Sequence, residues 1–354
     1  MMDAMEHAAY LNARVRAMKG DLFPREKLDD LLDLEDVEML VEVLLNSPYE
    51  RHIAEALAQH HGADAVETGV SNNMFETFQR LRAMTFTPQR ELVDTFLRRW
   101  DLAAVKVLLR NKHHHIDSTE TRWSRPGPTL SLALLRDFAQ RPTLEDTLNA
   151  LVFWNGDLCR GALQALPEYR ATDDLAPLEE ALDRSYFVGS VRRLAEHDAN
   201  GRDRDQVQRV IRMEIDLINL RTLLQFRPPD GDAQALRARL LPEGTLAPGL
   251  LREMAAAPDV GHAMELMGPT QYSEVVEGLY QFLQTRRFSP IQRMLEHVLL
   301  RQVQRMARQH VLSLAVLMHY VWLKYNEVTN LRLIARGLTR HLPRGRVREG
   351  VVYA

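Results

Sequence analysis

Apolar residues along this chain recur at intervals of three and four over long stretches, and period-two alternation of β-branched residues is scarce. That spacing places apolar side chains on one helical face, so the chain is predicted to be all-α nearly throughout. Leu, Ala, Arg, Glu and Met dominate, and most of them lose little rotamer freedom in a helix. Breakers gather at Ile116 to Pro128 and at Arg227 to Asp232, where prolines without a backbone donor sit beside glycine and end helices. Three tandem helical modules are expected: residues 1–118, 119–229 and 230–354.

A motif repeats across these modules. Its fullest copy is Asn326-Glu327-Val328-Thr329-Asn330-Leu331-Arg332, preceded by Ile215-Asp216-Leu217-Ile218-Asn219-Leu220-Arg221 and by the more worn Trp100-Asp101-Leu102-Ala103-Ala104-Val105-Lys106. Aligned on the acids Asp101, Asp216 and Glu327, the steps are 115 and 111 residues, with Ala or Asn three places on and a base five places on. A repeat of that length is a whole helical subdomain. A second marker keeps the period: Asp33, Thr143 and Asp259 each offer a capping oxygen ahead of an apolar helical run.

On a helix from Val207 to Phe226, Arg212, Asp216 and Asn219 share one stripe while Glu214 and Arg221 share another, with apolar residues on the flanks. Such a helix is expected to be wedged between neighbours, and its buried charges must be matched. Two roles are compatible with Asp101, Lys106, Asp216, Asn219, Arg221, Glu327, Asn330 and Arg332. They tie each module together, or they line a polar hollow that receives a partner.

Charge and composition narrow the setting. A chain of 354 residues with 45% hydrophobic content can bury a sizeable core. Cys159 is its sole cysteine, which excludes a disulfide framework and reads as a small buried apolar residue. The acidic N-terminus lacks the apolar stretch of a signal peptide, so a cytoplasmic chain is expected. The most apolar run, Val311 to Leu323, is flanked by Arg308 and Lys324 and is too short to span a bilayer. Net charge is −3, yet residues 281–354 carry +10 and the remainder −13. The basic end, Arg340, Arg344 and Arg346 included, suits an anionic membrane face, nucleic acid or an acidic protein partner.

Candidate chemistry is thin. Asp29-Asp30-Leu31-Leu32-Asp33 matches the DDxxD pattern by which all-helical prenyl synthases hold magnesium and diphosphate, but Asp173-Asp174 does not supply the second acidic cluster. His113, His114 and His115 are consecutive and point apart on a helix, unlike zinc ligands four residues apart. Asp198 to Asp205 has its glycine too early for a calcium loop. No phosphate-cradling loop or nucleophile elbow appears. The sequence thus offers no active site, metal or cofactor. A prenyl-synthase-like enzyme using Asp29, Asp30 and Asp33 is one alternative, and a nucleic-acid-binding helical protein is another, disfavoured by the negative overall charge.

The run Asn326 to Gly337, followed by Pro343, Val347 and Arg348, closely resembles the C-terminal signature of the C subunit of V/A-type rotary ATPases, the counterpart of the eukaryotic d subunit. Tyr10 to Met18 resembles that family's opening segment, and the order of three modules fits its pseudo-repeated plan. The first copy departs from the pattern, with Ala104 and Lys106 where the later copies have Asn and Arg. The resemblance implies a non-catalytic rotor part of the central stalk. In the family, the modules form a funnel on the cytoplasmic face of the membrane proteolipid ring, and the hollow receives the foot of the central shaft. Ion transport and ATP turnover are then coupled through a peripheral chain with no cofactor of its own. Arg340, Arg344 and Arg346 are expected at one of those contacts.

Overall fold

The computed structural model describes residues 4–87, 89–116, 127, 129–196, 201–225, 232–276 and 289–353. Among these residues there is no strand, and the chain is all-α as expected. In chain order the helices are α1 (Ala4–Lys19), α2 (Arg25–Leu32), α3 (Val37–Leu45), α4 (Glu50–Leu57), α5 (Gly62–Ala83) and α6 (Gln89–His113). Next come α7 (Leu132–Ala139), α8 (Leu144–Trp154), α9 (Gly156–Gln164), α10 (Leu166–Thr172), α11 (Ala176–Glu196) and α12 (Gly201–Gln225). The last are α13 (Ala233–Arg239), α14 (Pro248–Ala256), α15 (Val260–Glu265), α16 (Ser289–Gln309), α17 (Leu314–Thr339) and α18 (Arg344–Arg348).

Helix starts follow from short polar side chains that accept the orphan N–H groups of the first turn. Thr143 accepts from the Asp146 N–H at 3.0 Å to open α8, and Asp259 accepts from the His262 N–H at 2.8 Å to open α15. At the first repeat position the cap differs from expectation. Asp33 closes α2, and it is Asp36 that accepts from the Met39 N–H at 2.8 Å to start α3. Asp36 stands immediately before the apolar run Val37, Leu40 and Leu44, so its carboxylate faces the free N–H groups and that of Asp33 does not. A short helix, α18, follows the motif helix α17 after Pro343.

The linkers expected at 116–128 and 227–232 fall almost wholly outside the described residues, as do Asp198 to Asn200. Gly201 to Asp205 forms the first turn of α12, which therefore starts earlier than Val207.

The chain divides into two compact units, one comprising Met1–Met84 with Met264–Ala354 and the other Thr85–Ala263. In the first unit α17 packs on α5, α16, α1 and α3, while α4 packs on α5. Tyr49, Phe78, Leu40, Leu44 and Ile53 are fully enclosed there, together with Val321 and Leu331 of α17. Each such side chain contributes about 1.5–3 kcal/mol from apolar burial. Helix α17 is buried around most of its circumference, Glu327 and Asn330 included, while Arg332 is partly exposed. No described helix is long and apolar enough to cross a membrane.

In the second unit the long helices α6, α11 and α12 pack on one another, and α8 and α9 pack beside them. Tyr186 of α11 is enclosed and donates its hydroxyl to the carbonyls of Thr95 and Phe96 on α6, both at 3.2 Å. Cys159 is fully buried, and burial pushes its thiol up to about 12, so it is an inert packing residue.

Candidate functional site

The repeated acids occupy one kind of place, each buried on a long helix and each holding a turn from elsewhere in the chain. Asp101 of α6 accepts at Oδ1 from the backbone N–H of Leu130 at 2.9 Å and of Thr129 at 3.2 Å, and at Oδ2 from the Thr129 hydroxyl. Asp216 of α12 repeats the pattern, accepting from the Thr245 N–H at 3.0 Å, the Leu246 N–H at 3.1 Å and the Thr245 hydroxyl. Both carboxylates are 0% exposed. Two backbone donors and a hydroxyl stand in for the water that each carboxylate gave up.

Glycine makes the approach possible. A β-carbon at Gly127 or at Gly244 would overlap the carboxylate of Asp101 or Asp216. Gly127-Pro128-Thr129-Leu130 and Gly244-Thr245-Leu246 are thus a second repeated signature, 28 and 29 residues beyond the acids when counted at the threonine.

Glu327 of α17 performs the same role with different partners. It accepts from the Phe23 N–H and from the Tyr49 hydroxyl, both at 2.5 Å. The Lys324 ammonium lies 3.3 Å from Glu327, donates to the Tyr49 oxygen at 2.8 Å and sits 4.0 Å above the Tyr49 ring. Burial lowers the Lys324 pKa, with Glu327 opposing, and burial raises that of Tyr49, with Glu327 adding to it.

The asparagines repeat their bonding to the atom. Asn219 donates to the Leu241 carbonyl at 2.8 Å and accepts from the Leu241 N–H at 2.7 Å. Asn330 donates to the Val352 carbonyl at 2.8 Å and accepts from the Val352 N–H at 3.1 Å. In both cases the partner lies 22 residues further on. An amide is the one small side chain that satisfies both backbone groups of a passing residue at once. Arg293 reinforces the second site, donating to Asn330 at 2.6 Å and to the Gly350 carbonyl at 2.7 Å.

The bases reach a different set of carboxylates. Lys106 pairs with Asp183 of α11 at 2.5 Å, and the charge of Arg221 also favours ionised Asp183. Arg332 lies 3.6 Å from Glu67 of α5, which Arg336 also holds at 2.5 Å. Asp183 and Glu67 are 116 residues apart, close to the 115-residue step between Asp101 and Asp216. The bonds of the acids join residues on opposite sides of the expected module boundaries: Asp101 to Thr129, Asp216 to Thr245, Glu327 to Phe23.

Glu214 went unnoticed in the sequence as anything beyond a stripe residue. It is 3% exposed, pairs with Arg99 of α6, and burial drives its pKa up to about 7 against the pull of that arginine. Asp101 is likewise pushed up to about 6 by burial, opposed by the Thr129 and Leu130 bonds. No sequence signal marks Arg99, Tyr49 or Phe23 as partners, since each is remote in the chain from the acid it serves.

The remaining candidates lie at the surface. Arg340 and Arg346 are exposed, and Arg344 reaches Asp33 at 3.3 Å. Asp29 accepts from the Tyr353 hydroxyl at 2.5 Å and lies near Arg25 and Arg348. These carboxylates are engaged by protein cations. His113 meets the Tyr169 hydroxyl at 3.1 Å and lies 3.6 Å from Asp173. An open cleft of about 850 Å³ lies between α9, α10 and α11, lined by Asp157, Arg160, Arg184 and Arg193 among others. The buried acids anchor backbone.

A family model described as "ATP synthase (C/AC39) subunit" matches residues 11–350. The chain belongs to that family. It is 26% identical to the C subunit of the A-type ATP synthase of Methanococcoides burtonii, over 97% of this chain and 94% of that protein. It is 23% identical to the protein of the same name from Thermoplasma acidophilum, over 97% of both, and 23% identical to that of Methanocaldococcus jannaschii, over 96% of this chain and 85% of the relative. The chain is accordingly a non-catalytic stalk subunit of a rotary ATPase, and other subunits of such a membrane-associated complex are its partners. This agrees with the motif resemblance and sets aside the prenyl-synthase and nucleic-acid readings.

Proposed function

We propose that this protein is the socket that couples the central shaft of the rotary ATPase to the membrane proteolipid ring. Three pseudo-repeated modules, 1–118, 119–229 and 230–354, form the funnel, seated peripherally on the cytoplasmic side. The observation that carries this reading is the threefold use of a buried acid to anchor backbone across the expected module boundaries. A part that transmits torque must resist shear between its modules, and charge-assisted bonds to backbone resist sliding better than apolar contact, which is non-directional. The basic third module supplies one of the contacts through Arg340, Arg344 and Arg346, since a polar seat relies on electrostatic steering more than on a large dry interface.

Cross-linking in native membranes tests the assignment. Cross-links from this chain to a shaft subunit and to a proteolipid loop are expected, and absence of either set contradicts the socket. Replacing Arg340, Arg344 and Arg346 together by Glu should reduce recovery of one neighbour at low salt. Unchanged recovery at every salt concentration would remove these arginines from the contact.

A further inference from the structure

The anchored turns occupy equivalent places in the repeat. Thr129-Leu130 leads into α7, Thr245-Leu246 leads into α14, and Phe23-Pro24 leads into α2. Each turn opens the short helices that precede a long helix pair, α5 and α6, α11 and α12, or α16 and α17. The acid that grips the turn sits on the second long helix of a different copy: α6 grips the turn before α7, α12 the turn before α14, and α17 the turn before α2. The order is head-to-tail, and the third copy returns to the first.

In the first two clasps acid and turn are 28 and 29 residues apart, so the chain itself keeps them near each other. In the third they are 304 residues apart, and the contact between Glu327 and Phe23 joins segments that nothing covalent holds together locally. The third clasp also differs in chemistry, with Tyr49 and the Lys324 ammonium in place of the second backbone N–H and the threonine hydroxyl. Closing a long loop costs more entropy than closing a short one, which gives the use of a charged partner here a physical reason.

We propose that Glu327, Tyr49, Lys324 and the Phe23 turn form a latch that closes the head-to-tail series of repeats, and that the unit of Met1–Met84 with Met264–Ala354 opens there by releasing its early segment from α17. The two local clasps do not release chain in this way, because their partners stay tethered. Local opening of this kind is a sub-global unfolding event, visible as amide exchange shared by the two released faces. The latch is a property of the fold and stands whether or not the socket reading holds.

Amide hydrogen exchange on the full chain tests it. Glu327→Gln should speed exchange by ~10-fold or more in residues 20–32 and in the facing part of α17 together, with 129–139 and 245–256 unchanged. Tyr49→Phe, which keeps the ring and removes one bond, should give the same pair of segments at smaller amplitude, and it carries the test if Glu327→Gln does not fold. Asp216→Asn should loosen only 241–256. Loosening confined to α17 around residue 327, or spread evenly over all three turns, would overturn the latch.

Discussion

The two compact units solve one problem with two chemistries. In the unit of Thr85–Ala263, Asp101 and Asp216 are each caged by a threonine and two backbone N–H groups. In the other, Glu327 shares a tyrosine and a lysine and accepts a single backbone N–H. At Asp101 the desolvation penalty outweighs the cage of bonds, raising its pKa to about 6 against the pull of Thr129, Leu130 and the nearby Arg98. The lysine lets the third acid share that penalty with an opposite charge, at the cost of a buried ammonium whose own pKa is lowered. Short sequence separation goes with the cage of backbone donors and threonine, and long separation with the triad of Glu327, Tyr49 and Lys324.

Breaking the cage of backbone donors should do the most damage. Asp216→Ala leaves two buried N–H groups and a hydroxyl without their acceptor and should cost about 3–5 kcal/mol, read from the urea midpoint. A loss under about 1 kcal/mol would mean that water replaces the carboxylate.

Next is the pH dependence of Glu214, whose folded pKa of about 7 stands above the ordinary glutamate value of 4.5. The folded state then holds its proton more tightly than the unfolded one, so this group's contribution to stability falls as pH rises from about 4.5 to 7 and is level on either side. Glu214→Gln removes that slope. Relative to the parent, the variant should gain about 3 kcal/mol between pH 4.5 and 7.5, measured by denaturant unfolding at both values. A constant difference would contradict the buried acid.

A double-mutant cycle sharpens the contrast between the units. Glu327→Gln and Lys324→Met should show a coupling of about 1–3 kcal/mol, because either change alone strands a buried partner. Asp101→Asn and Lys106→Met should add to within about 0.5 kcal/mol, since Lys106 is engaged by Asp183. The weakest response is expected at the surface, where Arg344→Ala should shift stability by less than about 0.5 kcal/mol despite its contact with Asp33.

Much of this was legible in the sequence, and the remainder was hidden for definable reasons. Helical periodicity indicated the all-α class, and the repeat of Asp101, Asp216 and Glu327 picked out three residues that are each buried and engaged. The direction of their bonding was not legible, because Thr129 and Thr245 lie across segments of dissimilar composition and Phe23 lies at the other end of the sequence. The paired Gly127 and Gly244, each followed by Thr-Leu, carried that information in principle. An insertion of one residue, Pro128, hid it from a fixed-register comparison. The misassigned cap arose similarly, from aligning Asp33 by spacing when Asp36 is the acid adjacent to the apolar run.

The most direct test of the socket is recovery of the tagged chain from its host's membranes in mild detergent, with mass spectrometry of everything retained. A coupling socket should come out in one stoichiometric particle with the ATPase head, the shaft and the proteolipid ring. Recovery of head and shaft with this chain but without the ring, or of the chain alone, would contradict its role as the link between them.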